Sequence, residues 1–456
     1  MFVSTFWNTL LFQASLNEPA VWHAVLTLSS VHKRGALNGN NQGRREDTPD
    51  KPEQFTLQHY LKAISHLQPN LSNHNRASVR VALITCVVFV CLELLRGHFQ
   101  TAQNHLQNGL KVLRETQMLS IVLDDSDDDG WIVEAFSRLH VQVVLFNQSH
   151  HHPCFVLQDS GAESPVPLFH NLNEAWQQME RLLNKIIHLA NQGRRERVPE
   201  TLSLAYPSTL FGHQQRIQTE LTRWLDTYEV SRKDLQSQQL VVISCQLLCT
   251  YHTMAKIMLD ACSWPDDESI FDSYTEQFLV LINQLLDIWK IRTSGSQVRA
   301  WLGHPMDMSR SVVDIGWIPP LYYTALKCRV HRVRLHAIRL LESSAHREGF
   351  WDANIAACVA RKVMEIEERD FYSSVDTGDD FLLFSSPEWQ DLSLQTIPQS
   401  YRINEVEVVL PDGPKENVFL FCRQKQSGGG WKVLRKEFHA LSQSWMDGTS
   451  DEEAGL

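Results

Sequence analysis

One run of the chain places carboxylates at metal-ligand spacing: Asp124-Asp125-Ser126-Asp127-Asp128-Asp129-Gly130. Read as a calcium loop, Asp125, Asp127, Asp129 and Gly130 fill the first, third, fifth and sixth positions, and Ile132 the eighth. The twelfth is Phe136, where a bidentate carboxylate should complete the shell. Read as the magnesium-binding aspartates of a terpene-cyclase type of enzyme, Asp124, Asp125 and Asp128 would be the ligands, yet no second Asn/Asp-x-x-x-Ser-x-x-x-Glu triad accompanies them. The reading that asks least is an exposed acidic loop whose charge favours the positive end of a helix starting near Trp131.

Other reactive residue types are thinner still. His150-His151-His152-x-Cys154 has imidazoles and a thiol, but adjacent histidines rarely converge on one ion, and no second ligand pair follows at a fixed spacing. Cys245-x-x-x-Cys249 flanks Leu247 and Leu248 and reads as buried packing. His-Glu-x-x-His, Gly-x-Ser-x-Gly, Walker and Gly-x-Gly-x-x-Gly signatures are absent, so no catalytic, cofactor-binding or metal-ligating residue is named and no cofactor is expected. The clearest electrostatic feature lies in the helix expected from Lys327 onward. There Arg329, Arg332, His336 and Arg339 share one arc beside an apolar arc of Val330, Val333, Ala337 and Leu340. In an acidic chain such a stripe pairs with carboxylates of a neighbouring helix; a nucleic-acid or acidic-partner surface is the sharper alternative.

The elements that must position these residues are mostly helical. Apolar residues recur at three- and four-residue spacing over 2–16, 19–34, 55–68, 77–96, 98–117, 131–146, 169–190, 211–228, 236–260, 270–290, 320–343 and 350–369. Pro19 follows Asn17 and Glu18 at a helix start, and Leu57, Leu61, Ile64 and Leu67 lie on one side of their helix. After Pro398 the pattern turns to alternating and β-branched runs, RINEVEVVL, ENVFLFCRQ and WKVLRKEF, broken by Pro411-Asp412-Gly413-Pro414 and three glycines. The fold class is mainly α: an α-helical array of stacked helix pairs with a small C-terminal β-hairpin or three-stranded flap. Residues 1–397 form the helical body, with polar loops near 35–54, 120–130 and 147–168; 398–440 form the β appendage and 441–456 a flexible tail.

Composition narrows the function classes. Among 456 residues, 42 Lys and Arg face 53 Asp and Glu, a net charge of −11, opposite in sign to the footprint that phosphate contacts require. The nine cysteines lie mostly in apolar stretches and read as thiols of a reducing compartment. No Lys or Arg precedes Lys33, and the N-terminus lacks the marks of a signal peptide. The longest apolar run, between Arg80 and Arg96, contains Glu93 and spans about 22 Å as a helix where a bilayer core needs about 30 Å, so no membrane span is expected. The Asn-x-Ser sites at Asn70 and Asn147 carry little weight without a secretory route.

Three ordered blocks carry a resemblance. They are FWNTLLFQASLNEPAVWHAVLTLSSVHKR at 6–34, HYLKAISHL with CVVFVCLELLRGHFQTAQNHLQNGLKVL within 59–113, and the block at 318–368. Within them stand Glu18-Pro19 through His23-Ala24, Leu94 to His98, and Arg347 to Asp352, and IPQSYRINEVEVVL follows as a tail. Together they resemble the regulatory domain of fungal binuclear zinc-cluster transcription factors, over roughly residues 6–440. The resemblance implies a transcription regulator acting in the nucleus on a gene set such as a secondary-metabolite biosynthetic cluster. None of the nine cysteines has the Cys-x-x-Cys spacing of the zinc-cluster module, so direct zinc-dependent DNA binding does not carry over. The expected partners are proteins of the transcription machinery or a DNA-binding protein, with a homodimer possible in principle and a small-molecule effector left unspecified. Trp22 and Trp351 read as core or anchoring aromatics. The rival readings are a pathway-associated enzyme with an apolar pocket, whose foothold is Asp124–Asp129, and a plain helical scaffold.

Overall fold

The computed structural model describes residues 4–38, 51–72, 75–118, 127–146, 167–195, 208–235, 239–264, 266–294, 315–343, 346–375, 377–387, 392, 394–413, 416–426 and 428–447. A π-helical turn, Phe6–Leu10, leads into α1 (Leu11–Asn17) and α2 (Pro19–Asn38), with Pro19 in the first turn as the sequence predicts. Then come α3 (Lys51–Ser72), α4 (Arg76–Arg96), α5 (Phe99–Met118), α6 (Asp127–Phe146), α7 (Leu172–Arg195), α8 (Ser208–Leu235), α9 (Gln239–Ala261) and α10 (Thr275–Ser294). Neighbours pair as stacked hairpins would: α2 on α3 and α4, α4 on α5, α7 on α8 and α9, α9 on α10.

Helix α4 shows how the pattern dictates the packing. It is apolar all round, which suits a helix enclosed by others, and its residues from Val81 to Leu94 are almost all buried. Its length and composition would allow a membrane crossing, yet most of that apolar stretch is covered by the protein itself. Asn75 caps the start by accepting the Ser78 N–H at 2.8 Å, and Gly97 ends it at φ +80°, a left-handed conformation that glycine adopts without strain.

The helix expected over 320–343 is two helices, α11 (Ile318–Lys327) and α12 (His331–Glu342), broken by extended backbone at Cys328 and Val330. No Gly or Pro marks that break. A tight hairpin, β1 (Arg347–Glu348) with β2 (Trp351–Asp352), precedes α13 (Ala353–Glu368). The chain ends in a four-stranded antiparallel meander, β3 (Glu405–Val409), β4 (Val418–Lys425), β5 (Trp431–His439) and β6 (Ser444–Asp447). The expected hairpin or three-stranded flap thus gains a strand, and β6 falls in the stretch 441–456 read as a flexible tail. Along β4 buried and part-exposed side chains alternate, so one face carries Leu420 and Cys422 into the same core as the helices.

Two contacts rivet the sheet to the body. Asp412 accepts the Thr101 backbone N–H at 2.9 Å and its hydroxyl at 2.8 Å, while the Phe99 N–H reaches the Pro411 carbonyl at 3.2 Å. Burial raises the Asp412 pKa, but those Thr101 bonds and nearby His98 outweigh it and hold it below the usual value. On the other side, the Ile403 N–H donates to Glu367 at 2.6 Å.

Candidate functional site

The hairpin Arg347–Asp352 is a structural keystone. Glu348 is buried and accepts the backbone N–H groups of Gly316 at 2.6 Å and Trp317 at 3.0 Å, placing a carboxylate at the N-terminal end of α11. His346 holds the same carboxylate at 2.8 Å and stacks on Trp317, ring centroids 4.3 Å apart. Gly349 sits at φ +57° against the Gln142 amide, a position where any Cβ would collide. Trp351 is fully buried against Phe146 and Tyr322, at 4.8 and 5.4 Å between centroids, as a core aromatic. Asp352 caps α13 by accepting the Asn354 N–H at 2.9 Å and pairs with Arg347 at 2.6 Å.

The basic arc is spent inside the protein. Arg329, in the break between α11 and α12, meets Glu367 at 3.1 Å and Glu268 at 2.8 Å. Lys327 shares Glu268 at 2.8 Å, and Arg334 takes Glu367 at 2.6 Å and Glu368 at 3.6 Å. Arg402 clamps Asp272 with two bonds, at 3.0 and 2.9 Å. Four cations and four carboxylates therefore form one seam joining α11, α12, α13, the 3-10 turn Glu268–Tyr274 and the entry to the sheet. Burial alone would lower the pKa of Arg329; Glu367 and Glu268 outweigh it and raise it. For Lys327 burial wins and the pKa falls despite Glu268.

The remaining residues of the arc bind a segment of the chain itself. Residues 377–387 lie across α12 with neither helix nor strand. His331 bridges Glu368 at 2.7 Å and Asp379 at 2.8 Å, and these carboxylates raise its pKa against the lowering effect of burial. Arg339 donates to the Asp379 carbonyl at 3.1 Å and lies 4.3 Å from the centre of the Phe381 ring, which Arg332 covers from 3.1 Å. His336 bonds the Leu383 carbonyl at 2.6 Å. Of the expected stripe, Arg329 pairs with carboxylates, whereas Arg332, His336 and Arg339 meet the Phe381 ring and main-chain carbonyls of a strap the sequence did not announce.

The fungal specific transcription factor domain matches residues 4–366. The chain belongs to this family. Among curated relatives, the Aspercryptin biosynthesis cluster-specific transcription regulator atnN of Emericella nidulans is 22% identical over 446 residues, covering 81% of this chain and 71% of that protein. Transcription regulator lscL of Purpureocillium lilacinum is 29% identical over 117 residues, 25% of this chain and 28% of its own. No solved structure matches. The chain is thus a transcription regulator of the fungal-specific type.

In this fungal transcription factor domain the three resembling blocks are places where elements are tied. Leu94 to His98 forms the α4–α5 corner, with Glu93 holding His98 at 2.7 Å and Arg96 at 3.4 Å. In Glu18 to Ala24, Ala20, Val21 and Ala24 enter the core while His23 faces α3, Nδ1 to Nδ1 at 2.9 Å from His59 and stacked on His66. Burial first, then neighbouring His59, His66 and Lys62, lowers the His23 pKa. Trp22, expected as an anchoring aromatic, is 45% exposed, and Leu57 and Leu61, expected with Ile64 and Leu67, also face outward. On α3 the inward residues are instead Thr56 and Ala63, flanked by Tyr60, Ile64 and Leu67.

Burial raises the Cys86 and Cys262 pKa values to about 12 and those of Cys328 and Cys358 to about 11, and raises Cys245 and Cys249 as well, so these thiols are packing groups. Among the described residues no three His, Cys, Asp or Glu side chains are grouped to hold a metal ion. Asp124, Asp125 and Ser126 lie outside the described residues, as do Asn147 and His150 to Cys154, so the enzyme rival's foothold, Asp124–Asp129, falls only partly within them. Asp127 to Asp129 form the first turn of α6, which starts four residues before Trp131.

Proposed function

We propose that the chain controls transcription of a biosynthetic gene set from the nucleus, through protein contacts of its helical body and without catalysing a reaction. The observation that carries this is the fate of the basic arc. Arg329 is fully buried on Glu268 and Glu367, and Arg332, His336 and Arg339 are engaged by the strap, so the clearest cationic feature of an acidic chain serves internal cohesion rather than a phosphate backbone. The family supplies the function class, and the name of the Emericella nidulans relative supplies the gene-set reading. Promoter recruitment then falls to a DNA-binding protein partner or a further module.

The test is deletion of the gene followed by transcript sequencing, with chromatin occupancy of a tagged copy. Coordinated loss of transcripts from one biosynthetic locus, with the tagged chain enriched in nuclei and on that locus, is the expected outcome. An unchanged transcriptome under conditions where the chain is expressed sinks the proposal.

A further inference from the structure

We propose that Ser386 is a phosphorylation site, modified by a protein kinase whose cleft takes proline after the acceptor serine. The inference stands apart from the gene-set reading and assigns a covalent modification to the strap across α12. Serine or threonine precedes proline at Thr48, Ser164 and Ser386. Thr48 and Ser164 lie outside the described residues, so Ser386-Pro387 is the pair whose surroundings the fold defines. Ser386 is exposed, belongs to neither helix nor strand, and its hydroxyl has no hydrogen-bond partner among the described residues. Its neighbour Ser385 is the opposite case. Half-buried, it donates to the Leu382 carbonyl at 2.7 Å and accepts from Arg332 at 3.5 Å.

The strap presents that residue from a fixed base. Phe381 lies beneath Arg332 and Arg339, and His336 holds the Leu383 carbonyl. A turn closed by the Ser385 N–H on the Leu382 carbonyl at 2.9 Å ends the anchored part, and one such backbone bond opens at small cost when a cleft draws the segment out. Leu382 and Phe384, 80% and 45% exposed, stand just ahead of Ser386 and offer the cleft apolar contacts. Pro387 has no backbone N–H, so a cleft without an acceptor at that position penalises every other residue with an unpaired buried donor. In the reaction the Ser386 Oγ bonds to the γ-phosphorus of a nucleoside triphosphate held by the kinase, and the bond from that phosphorus to the β–γ bridging oxygen breaks. The hydroxyl proton passes to the kinase's base and the nucleoside diphosphate leaves. The phosphate adds a charge of about −1.5 to −2 one residue beyond the hydroxyl that Arg332 reaches. Two guanidinium groups already flank the strap there, so the modified strap is held to α12 by charge as well as by its ring.

The experiment incubates the full chain with ATP, magnesium and a purified proline-directed kinase and maps the phosphate by peptide mass spectrometry, with Ser386→Ala and Pro387→Ala treated identically. Phosphate on Ser386 is expected, absent in Ser386→Ala and formed about tenfold more slowly in Pro387→Ala, with the thermal melts of both variants unchanged. Phosphate on Thr48 or Ser164 with none on Ser386 overturns the site, and equal rates in Pro387→Ala overturn the proline-selecting cleft. The same phosphopeptide is expected in chain recovered from fungal cells with phosphatases blocked; its absence wherever the chain is expressed overturns the modification in the cell. Chymotrypsin cleavage at residues 381–384 reads the grip. It is expected to slow about threefold in the phosphorylated chain relative to kinase-treated Ser386→Ala, and equal or faster cleavage overturns the tightened strap. None of these outcomes touches the regulator reading, which deletion of the gene tests separately.

Discussion

Helices α2 and α3 meet along a seam of like groups, His23, His59 and His66 with Lys62 beside them, whereas α12 and α13 meet along a seam of opposite charges. The first seam is partly open to water, and Trp22 and Leu61 of its two helices are exposed. The second is closed, with Arg329, Arg334 and Glu367 fully buried. Two helix pairs of one body thus use unlike physics. Where solvent is near, uncharged imidazoles and partial burial suffice; where it is excluded, each ion must be matched or the desolvation cost stands uncompensated.

The largest test of that difference is Glu367→Ala, which leaves two guanidinium groups and the Ile403 N–H facing a void; loss of about 3–5 kcal/mol is expected in denaturant unfolding. Replacing Glu348 by Gln keeps the shape but removes the charge held by Gly316, Trp317 and His346, and a loss of about 2–3 kcal/mol is expected by the same measurement. Each of these buried carboxylates, Glu367 in the closed seam and Glu348 in the hairpin, then contributes more than any residue of the open seam. Leu61→Ser, on the outer side of α3, is expected to shift unfolding by no more than about 0.5 kcal/mol.

Titration separates the seams by sign. His23 and His59 are lowered, burial being the first cause, so the fold favours their neutral forms; their stability contribution is present at neutral pH and is lost as pH falls below the ordinary histidine value. His331 is raised by Glu368 and Asp379, with Tyr372 as its other ring neighbour. Its contribution is full below the ordinary value and is lost as pH rises through its own. Melting midpoints followed from about pH 5.5 to pH 8 should therefore become less acid-sensitive in His59→Gln and less alkali-sensitive in His331→Gln. Equal slopes in both variants would dissolve the contrast.

Much of this was legible in the residues, and the failures have physical reasons. The three-and-four spacing gave the helices because burial of one face is written along each, and the arc of Arg329, Arg332, His336 and Arg339 announced a demand for carboxylates. The answer is tertiary: Arg329 meets Glu367 on α13 and Glu268 on a distant turn, and the other three meet the strap. The break at Cys328–Val330 was hidden because no Gly or Pro causes it; Arg329 turns inward there to reach two buried carboxylates, an ion-pair choice overriding helix propensity. On α3, Leu57 and Leu61 belong to the apolar pattern but not to the buried arc, which runs through Ala63, a residue too small to stand out. The strap, residues 377–387, forms no regular element that a spacing could signal; its contacts with His331, Arg332, His336 and Arg339 reveal it.

The rivet between Asp412 and Thr101 joins residues 311 positions apart. Such a contact forms late, because closing so long a loop has an entropic cost that only the finished body offsets. During synthesis the N-terminal end of α5 must wait for Asp412, and Glu367, whose cations Arg329 and Arg334 precede it in the chain, waits only for the Ile403 N–H. The sheet is the clasp of the chain, and a message that ends before residue 412 leaves Thr101 without Asp412 and the helical core without the cover of Leu420 and Cys422.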